Sequence, residues 1–268
     1  MTTTATSSTL LRRRASHWPA LRELARRSLL RLVRVPQLLM PMVVMPAFFV
    51  TAFSGSFDGV SQVDGFPTDN LINWVAAFAL LQTCSFAGIG AATSMATDLE
   101  TRFIDRLLVT PVSPTLLLLA PLTQAIVRSL VPSTVVLVLA WANGASMPGG
   151  PVGVVMAYLG GVCVALAMGC LGVGIVLLIG NLRAMAIVQV IAFVLMFPST
   201  GQVPIELMDG WLARVAEINP ITPLLAMTRQ GFLGPVTWAE TWPGLIVTVC
   251  GVGGFGAFAR AQVVRLAS

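Results

Sequence analysis

The chain has 268 residues, 56% apolar and only 10% charged, with a formal net charge of +5 and a mean hydropathy of +0.86. Soluble domains carry about a quarter charged residues, so this composition excludes an ordinary soluble domain and points to an all-α membrane protein with several spans. All sixteen cations are arginines. Without a lysine there is no Walker A phosphate loop, because that lysine is what contacts the β- and γ-phosphates. Any ATP hydrolysis tied to this chain has to come from another polypeptide.

The N-terminal residues 1–16 read as a disordered tail, rich in Thr and Ser. From Arg12 to Arg34 stand eight arginines and one acid, Glu23. Trp18, Leu21, Leu24, Ala25, Leu29 and Leu32 recur at helical spacing opposite Arg22, Arg26, Arg27 and Arg31. Over residues 17–35 this predicts a basic amphipathic helix lying in the headgroup layer with its arginines toward anionic lipid. A secretory signal fits poorly, since the apolar run starts about twenty residues after Arg12–Arg14 and no small-residue cleavage pattern follows.

From residue 36 onward the chain reads as a single transmembrane domain of six spans. The first covers 37–53 and carries Pro41 and Pro46 just after Pro36, so a kink is expected. Residues 54–70 hold Asp58, Asp64 and Asp69 with no arginine. The second span, 71–95, includes Gln82, Thr83, Ser85, Gly88, Gly90, Thr93 and Ser94. The third, 115–141, holds Pro121, Arg128 and Pro132, and an uncharged turn leads to the fourth, 152–179. In that span Gly161, Ala165 and Gly169 form the small-residue stripe that lets helices approach closely. Asn181-Leu182-Arg183 makes a tight polar turn before span five, 184–203, and span six covers 242–258.

Two connections break the pattern. Residues 98–114 are too polar for hydrocarbon, where each ion costs several kcal/mol, so the chain leaves the membrane and returns. From about Glu100 to Val109 the loop has helical periodicity, with Phe103, Ile104, Leu107 and Leu108 on one face, and Thr110-Pro111-Val112-Ser113-Pro114 stops it. A short surface helix joined to two spans can pass force to or from a partner. Between spans five and six, residues 205–240 are apolar but interrupted: Ile205–Ile218 and Thr222–Phe232 are each too short to cross a bilayer, with Asn219-Pro220 between them. Together with Trp211, Trp238 and Trp242 as an aromatic belt, this predicts a re-entrant helical hairpin.

Six spans place the N-terminal segment, the 98–114 loop, Arg183 and the C-terminus on one side, with thirteen of the sixteen arginines. The other side has Arg214 and Arg229 with seven of the eleven acids. The positive-inside rule then sets both termini and the loop in the cytoplasm and the hairpin outside.

Two segments carry a family resemblance. Arg106-Leu107-Leu108-Val109-Thr110-Pro111-Val112-Ser113 resembles the segment after the second span of ABC-2 type exporter permeases, in particular the daunorubicin-resistance type. Asn219-Pro220-Ile221-Thr222, with Arg229 ten residues past the asparagine, is similar to the family's hairpin motif before the last span. The likeness extends from about Ala20 to Arg265. One departure is local: where relatives often have a glycine after the acid, Glu100 is followed by Thr101-Arg102.

The resemblance implies a bacterial cytoplasmic-membrane transporter of two ATP-binding subunits and two permease chains, identical or homologous, with ATP and magnesium held by the partner subunits and no cofactor on this one. It assigns the 98–114 loop as the coupling helix, through Asp98, Glu100, Arg102, Phe103, Asp105, Arg106, Leu107, Thr110 and Pro111. It assigns the hairpin to Pro204, Trp211, Asn219, Pro220 and Arg229. Gln82, Thr83 and Ser85 either line a pathway, with Phe86 and Phe193, or bond a neighbouring helix. Arg128 either snorkels, pairs with an acid or meets substrate. The mostly apolar walls suit an amphipathic, lipophilic substrate, with membrane lipid as the other partner and no nucleic acid.

Rival functions lack their residues. A proton-coupled carrier or channel needs an acid near mid-span, and a membrane enzyme needs convergent His, Asp, Glu or Cys. Cys84, Cys163, Cys170 and Cys250 lie in apolar runs with no C-x-x-C pair, and His17 is the one histidine. No catalytic or metal-binding set emerges. Gly251-Val252-Gly253-Gly254-Phe255-Gly256 matches G-x-G-x-x-G, but inside a span with no preceding strand it reads as helix packing.

Overall fold

The computed structural model describes residues 65–104 and 114–267, together with Arg26, Val44, Phe48 and residues 50–52. Arg26 is helical and exposed, and Val44, Phe48 and residues 50–52 are helical. The remainder of the expected tail, interfacial helix and first span lies outside the described residues. So do Asp58, Asp64 and residues 105–113, which include Asp105, Arg106, Leu107, Thr110 and Pro111 of the expected coupling helix.

Every described element is helical. The first, α1, runs Leu71–Glu100 and is opened by Asn70, whose side chain accepts from the Ile72 amide at 3.0 Å. Its 30 residues reach about 45 Å at 1.5 Å per residue, more than the ~30 Å hydrocarbon layer. The helix therefore continues five residues past the expected end at residue 95, carrying Asp98 and Glu100 clear of the apolar region. Glu100 ends α1, Thr101 and Arg102 turn, and helical geometry resumes at Phe103 and Ile104. Arg102 has φ +52°, a left-handed conformation that glycine adopts more readily.

Helix α1 is the centre of the bundle, packed by α2 (Pro114–Ala142), α3 (Gly150–Ile179) and α4 (Ala184–Met196), and also by α6 (Ile221–Leu233). It is thin enough for this because Ala76, Ala77, Ala87, Gly88, Ala91, Ala92 and Ala96 are all buried. A Cβ on Gly88 would overlap the carbonyl of Ala165 on α3. The expected stripe works on this contact: Gly161 packs on Cys84 and Leu80 of α1 and Ser133 of α2, while Gly169 meets Ala125. Helix α2 opens on Pro114, whose missing N–H is no loss in a first turn, and contains Pro121 and Pro132.

The expected fifth span, 184–203, is a continuous helix only from Ala184 to Met196. Helix α4 has 13 residues, about 20 Å, and stops at Met196. Pro198 follows, and Ser199-Thr200-Gly201 runs irregularly instead of helically to residue 203. A 3₁₀ turn (Ile205–Leu207), then α5 (Gly210–Ile218) and α6 form the hairpin region. Helix α7, Trp238–Ala267, starts four residues earlier and ends nine later than expected. It contains the glycine-rich run, where Gly251 and Gly256 lie against Ala167 and Cys170 of α3, while Gly253 and Gly254 face open space. By length and composition α1, α2 from Leu118, α3 and α7 are each able to cross a bilayer.

Hydrogen bonds define two ends of the bundle. At one, Asn70 Nδ2 donates to Gly144 O at 2.9 Å and Asn73 is paired with Ser146, joining the start of α1 to the α2–α3 turn. Gln230 ties the end of α6 to the start of α7 through Thr237 N and Thr241 Oγ1 at the same end. At the other, the Glu100 carboxylate accepts from Leu182 N at 3.2 Å, joining the end of α1 to the α3–α4 turn.

Candidate functional site

An interrupted helix in a membrane leaves carbonyls with neither helical partners nor water, a cost that must be met from elsewhere in the chain. Here the hairpin motif meets it. Asn219 Nδ2 donates to Leu195 O at 2.7 Å and to Pro198 O at 3.1 Å, the carbonyls released where α4 stops. Its Oδ1 accepts from Ile221 N at 2.9 Å and so caps α6 in the same act. Pro220 stands at the cap of α6, and Thr222 Oγ1 donates to Ala216 O at 2.7 Å, satisfying the end of α5.

Arg229, 3% exposed, completes the arrangement from two turns further along α6. Its Nη2 donates to Thr200 O at 2.8 Å and Gly201 O at 3.1 Å, and its Nε to Trp74 O at 3.1 Å. The guanidinium carbon sits 3.5 Å from the centroid of the Trp74 ring. Among the described residues this buried cation is thus held by carbonyl dipoles and an aromatic face rather than by an acid, which suits a planar group with forked donors. Pro204 is buried where the irregular stretch ends, and Trp211 on α5 is 73% exposed. Trp238 and Trp242 are also exposed at this end.

Below this latch four phenyl rings run between α1 and α4. Phe78 meets Phe197 with centroids 6.2 Å apart, Phe197 meets Phe193 at 5.6 Å, and Phe193 meets Phe86 at 5.9 Å. Phe193 and Phe197 are 36% and 44% exposed. Gln82, Thr83 and Ser85 are buried in the bundle, and Thr83 donates to Ala79 O on its own helix. The Ser85 hydroxyl has no hydrogen-bond partner among the described residues. On the accessible side of the candidate pathway, then, are Phe86, Phe193 and the sequence-silent Phe197.

Arg128 is buried on α2 and reaches α1, where Nη2 donates to Ser94 Oγ at 3.4 Å and Nη1 lies over Gly90. Of the expected coupling residues, Asp98, Glu100, Arg102 and Phe103 are described. Arg102 is exposed and Phe103 half-buried, and Ile104 beside it is buried in the core.

Together these features define an apolar helical bundle in which α4 stops at Met196 and the short helices α5 and α6 precede α7. Residues 19–233 match the ABC-2 type transporter family, and the chain belongs to it. It is similar to the "Probable multidrug ABC transporter permease YbhR" of Escherichia coli strain K12 and of Escherichia coli O157:H7, each 28% identical over 189 residues. Those alignments cover 65% of this chain and 49% of each relative, so the chain spans about half the length of the curated relatives it matches.

Proposed function

We propose that this chain is the permease subunit of an ATP-driven exporter that moves an amphipathic, lipophilic molecule, a drug-like metabolite or a lipid, out across the cytoplasmic membrane. The observation carrying this reading is the hairpin motif folded around the stopped end of α4 in a chain matching the ABC-2 family over residues 19–233. Two ATP-binding subunits, holding ATP and magnesium, work with two permease chains. The relatives' name as multidrug permeases agrees with the substrate class, as do the phenyl rings on α1 and α4.

Both termini and the 98–114 loop face the cytoplasm in this reading, with the hairpin toward the outside. Closure of the ATPase dimer moves the loop, and the bundle passes between inward- and outward-facing states by differential binding of two conformations. Asp98, Glu100, Arg102, Phe103, Asp105, Arg106, Leu107, Thr110 and Pro111 make the docking surface. Exposed ion pairs contribute little stability, but they set register with a partner. The described acids stand at helix ends and in connections, so among the described residues a proton-coupled carrier finds no mid-span acid.

The test is co-purification with candidate ATP-binding subunits, comparing wild type with Asp105→Ala/Arg106→Ala. Capture by wild type and loss in the double variant supports both the exporter and the loop. Capture unchanged by the substitutions keeps the exporter and moves the contact to the N-terminal helix. Transport driven by a proton gradient without ATP, and with no ATPase captured, sinks the reading.

A further inference from the structure

Helix α4 is held at both ends by side chains from other elements, and the charges are placed as its dipole demands. At its start the Glu100 carboxylate accepts from Leu182 N, while Asn181 Oδ1 accepts from Arg183 N at 2.9 Å. At its far end the Asn219 amide and the Arg229 guanidinium hold the carbonyls of Leu195, Pro198, Thr200 and Gly201. Along its length Phe193 and Phe197 lean on Phe86 and Phe78 of α1. Ala184, Val188, Ala192 and Met196 give it a buried face, while Ile187, Val190 and Val194 are exposed. The two clamps differ. The Glu100 contact is a single exposed hydrogen bond, whereas the Arg229 contacts are buried.

We infer that Glu100 is a positioning residue inside the permease, transmitting displacement of the 98–114 loop to the start of α4, which carries it as a short rod to the irregular 197–203 segment and the hairpin. The inference rests on the reading of that loop as the coupling element, and takes Glu100 out of the docking surface. Its carboxylate is already engaged within the chain, and it is the residue where α1 ends. A 13-residue helix is stiff over its ~20 Å, so a push at Leu182 arrives at Leu195 with little loss.

The experiment is hydrogen–deuterium exchange on the permease assembled with its ATP-binding subunits in lipid nanodiscs, without nucleotide and with ATP trapped by vanadate. In wild type, nucleotide changes exchange in peptides covering 98–114 and 197–203. In Glu100→Ala the response at 98–114 persists and that at 197–203 falls about fivefold or more, the scale of an ordinary coupling free energy. Glu100→Gln restores it, because the amide oxygen still accepts from Leu182 N. A response at 197–203 undiminished in Glu100→Ala overturns the inference. So does loss of the 98–114 response in that variant, which would make Glu100 a docking residue. A wild-type complex without nucleotide response at 98–114 overturns the coupling reading itself, and this inference with it.

Discussion

Arg229→Ala removes three donors from buried carbonyls, those of Trp74, Thr200 and Gly201, and lifts a cation off the Trp74 ring. Each buried acceptor left without a donor costs about 1–3 kcal/mol, and a desolvated cation–π contact contributes about 2 kcal/mol. Trp74 O lies inside α1 and keeps its helical donor, so two acceptors are orphaned and the gross loss is roughly 6 kcal/mol, using the middle of the first range. Relief of the guanidinium's own desolvation returns part of this, leaving a net loss of about 2–4 kcal/mol. For a chain of this size each kcal/mol moves Tm by about 2–4 °C, so the apparent Tm in detergent micelles falls by roughly 4–16 °C. Arg229→Lys keeps the charge but lacks the planar fork, holds fewer of the three carbonyls, and lies between. Thermal unfolding followed by tryptophan emission and by size-exclusion recovery reads both variants. An alanine variant within about 3 °C of wild type, equivalent to roughly 1 kcal/mol, refutes the latch.

Further outcomes follow from packing and from the aromatic row. Gly231→Ala sets a methyl against the Gly153 backbone and Gly88→Ala sets one against the Ala165 carbonyl, contacts no side-chain rotation relieves. Each costs about 1–3 kcal/mol, while Gly253→Ala, with open space around it, is neutral or mildly stabilising; thermal shifts of the three variants check the contrast. Phe86→Ala/Phe193→Ala removes a ring contact at 5.9 Å worth about 1 kcal/mol beyond its area. Under the proposed function, ATP-dependent ethidium uptake into inverted vesicles falls in this variant while ATPase capture persists; unchanged uptake removes the pair from the pathway.

What the sequence shows, and what it hides, follows from the kind of signal each feature leaves. Long apolar runs mark α1, α2, α3 and α7 because a bilayer demands about 20 apolar residues and tolerates few ions. The Gly161, Ala165 and Gly169 stripe is legible for the same local reason, a helical repeat of small side chains. The break in α4 is written too, in Pro198 and the Ser199-Thr200-Gly201 that follows, but hydropathy averages over it and returns a continuous span from 184 to 203. The polarity of Gln82, Thr83 and Ser85 is plain, whereas their burial is not, since it arises from helices packing on every side of a slender α1. Least legible is what Arg229 holds. Its partners are backbone carbonyls 28, 29 and 155 residues away, and a carbonyl has no letter in the sequence.

The spacing within the hairpin motif has a geometric basis that a double substitution probes. Ten residues of cap and helix separate Asn219 from Arg229, about 15 Å along α6, and the carbonyls they hold span Leu195 to Gly201 along the interrupted stretch. Helix α6 thus lies beside that segment, one residue holding its helical end and the other its irregular end. Asn219→Ala by itself frees Leu195 O and Pro198 O, about 2 kcal/mol each, and uncaps Ile221, about 1 kcal/mol, a gross loss of about 5 kcal/mol. With either residue gone the segment relaxes, and the remaining one loses part of what it was holding in place. Asn219→Ala/Arg229→Ala therefore costs less than the sum of its parts by about 1 kcal/mol or more, as expected for residues sharing one backbone element. Two losses that add to within about 0.5 kcal/mol would show two independent structural contacts and dissolve the single latch.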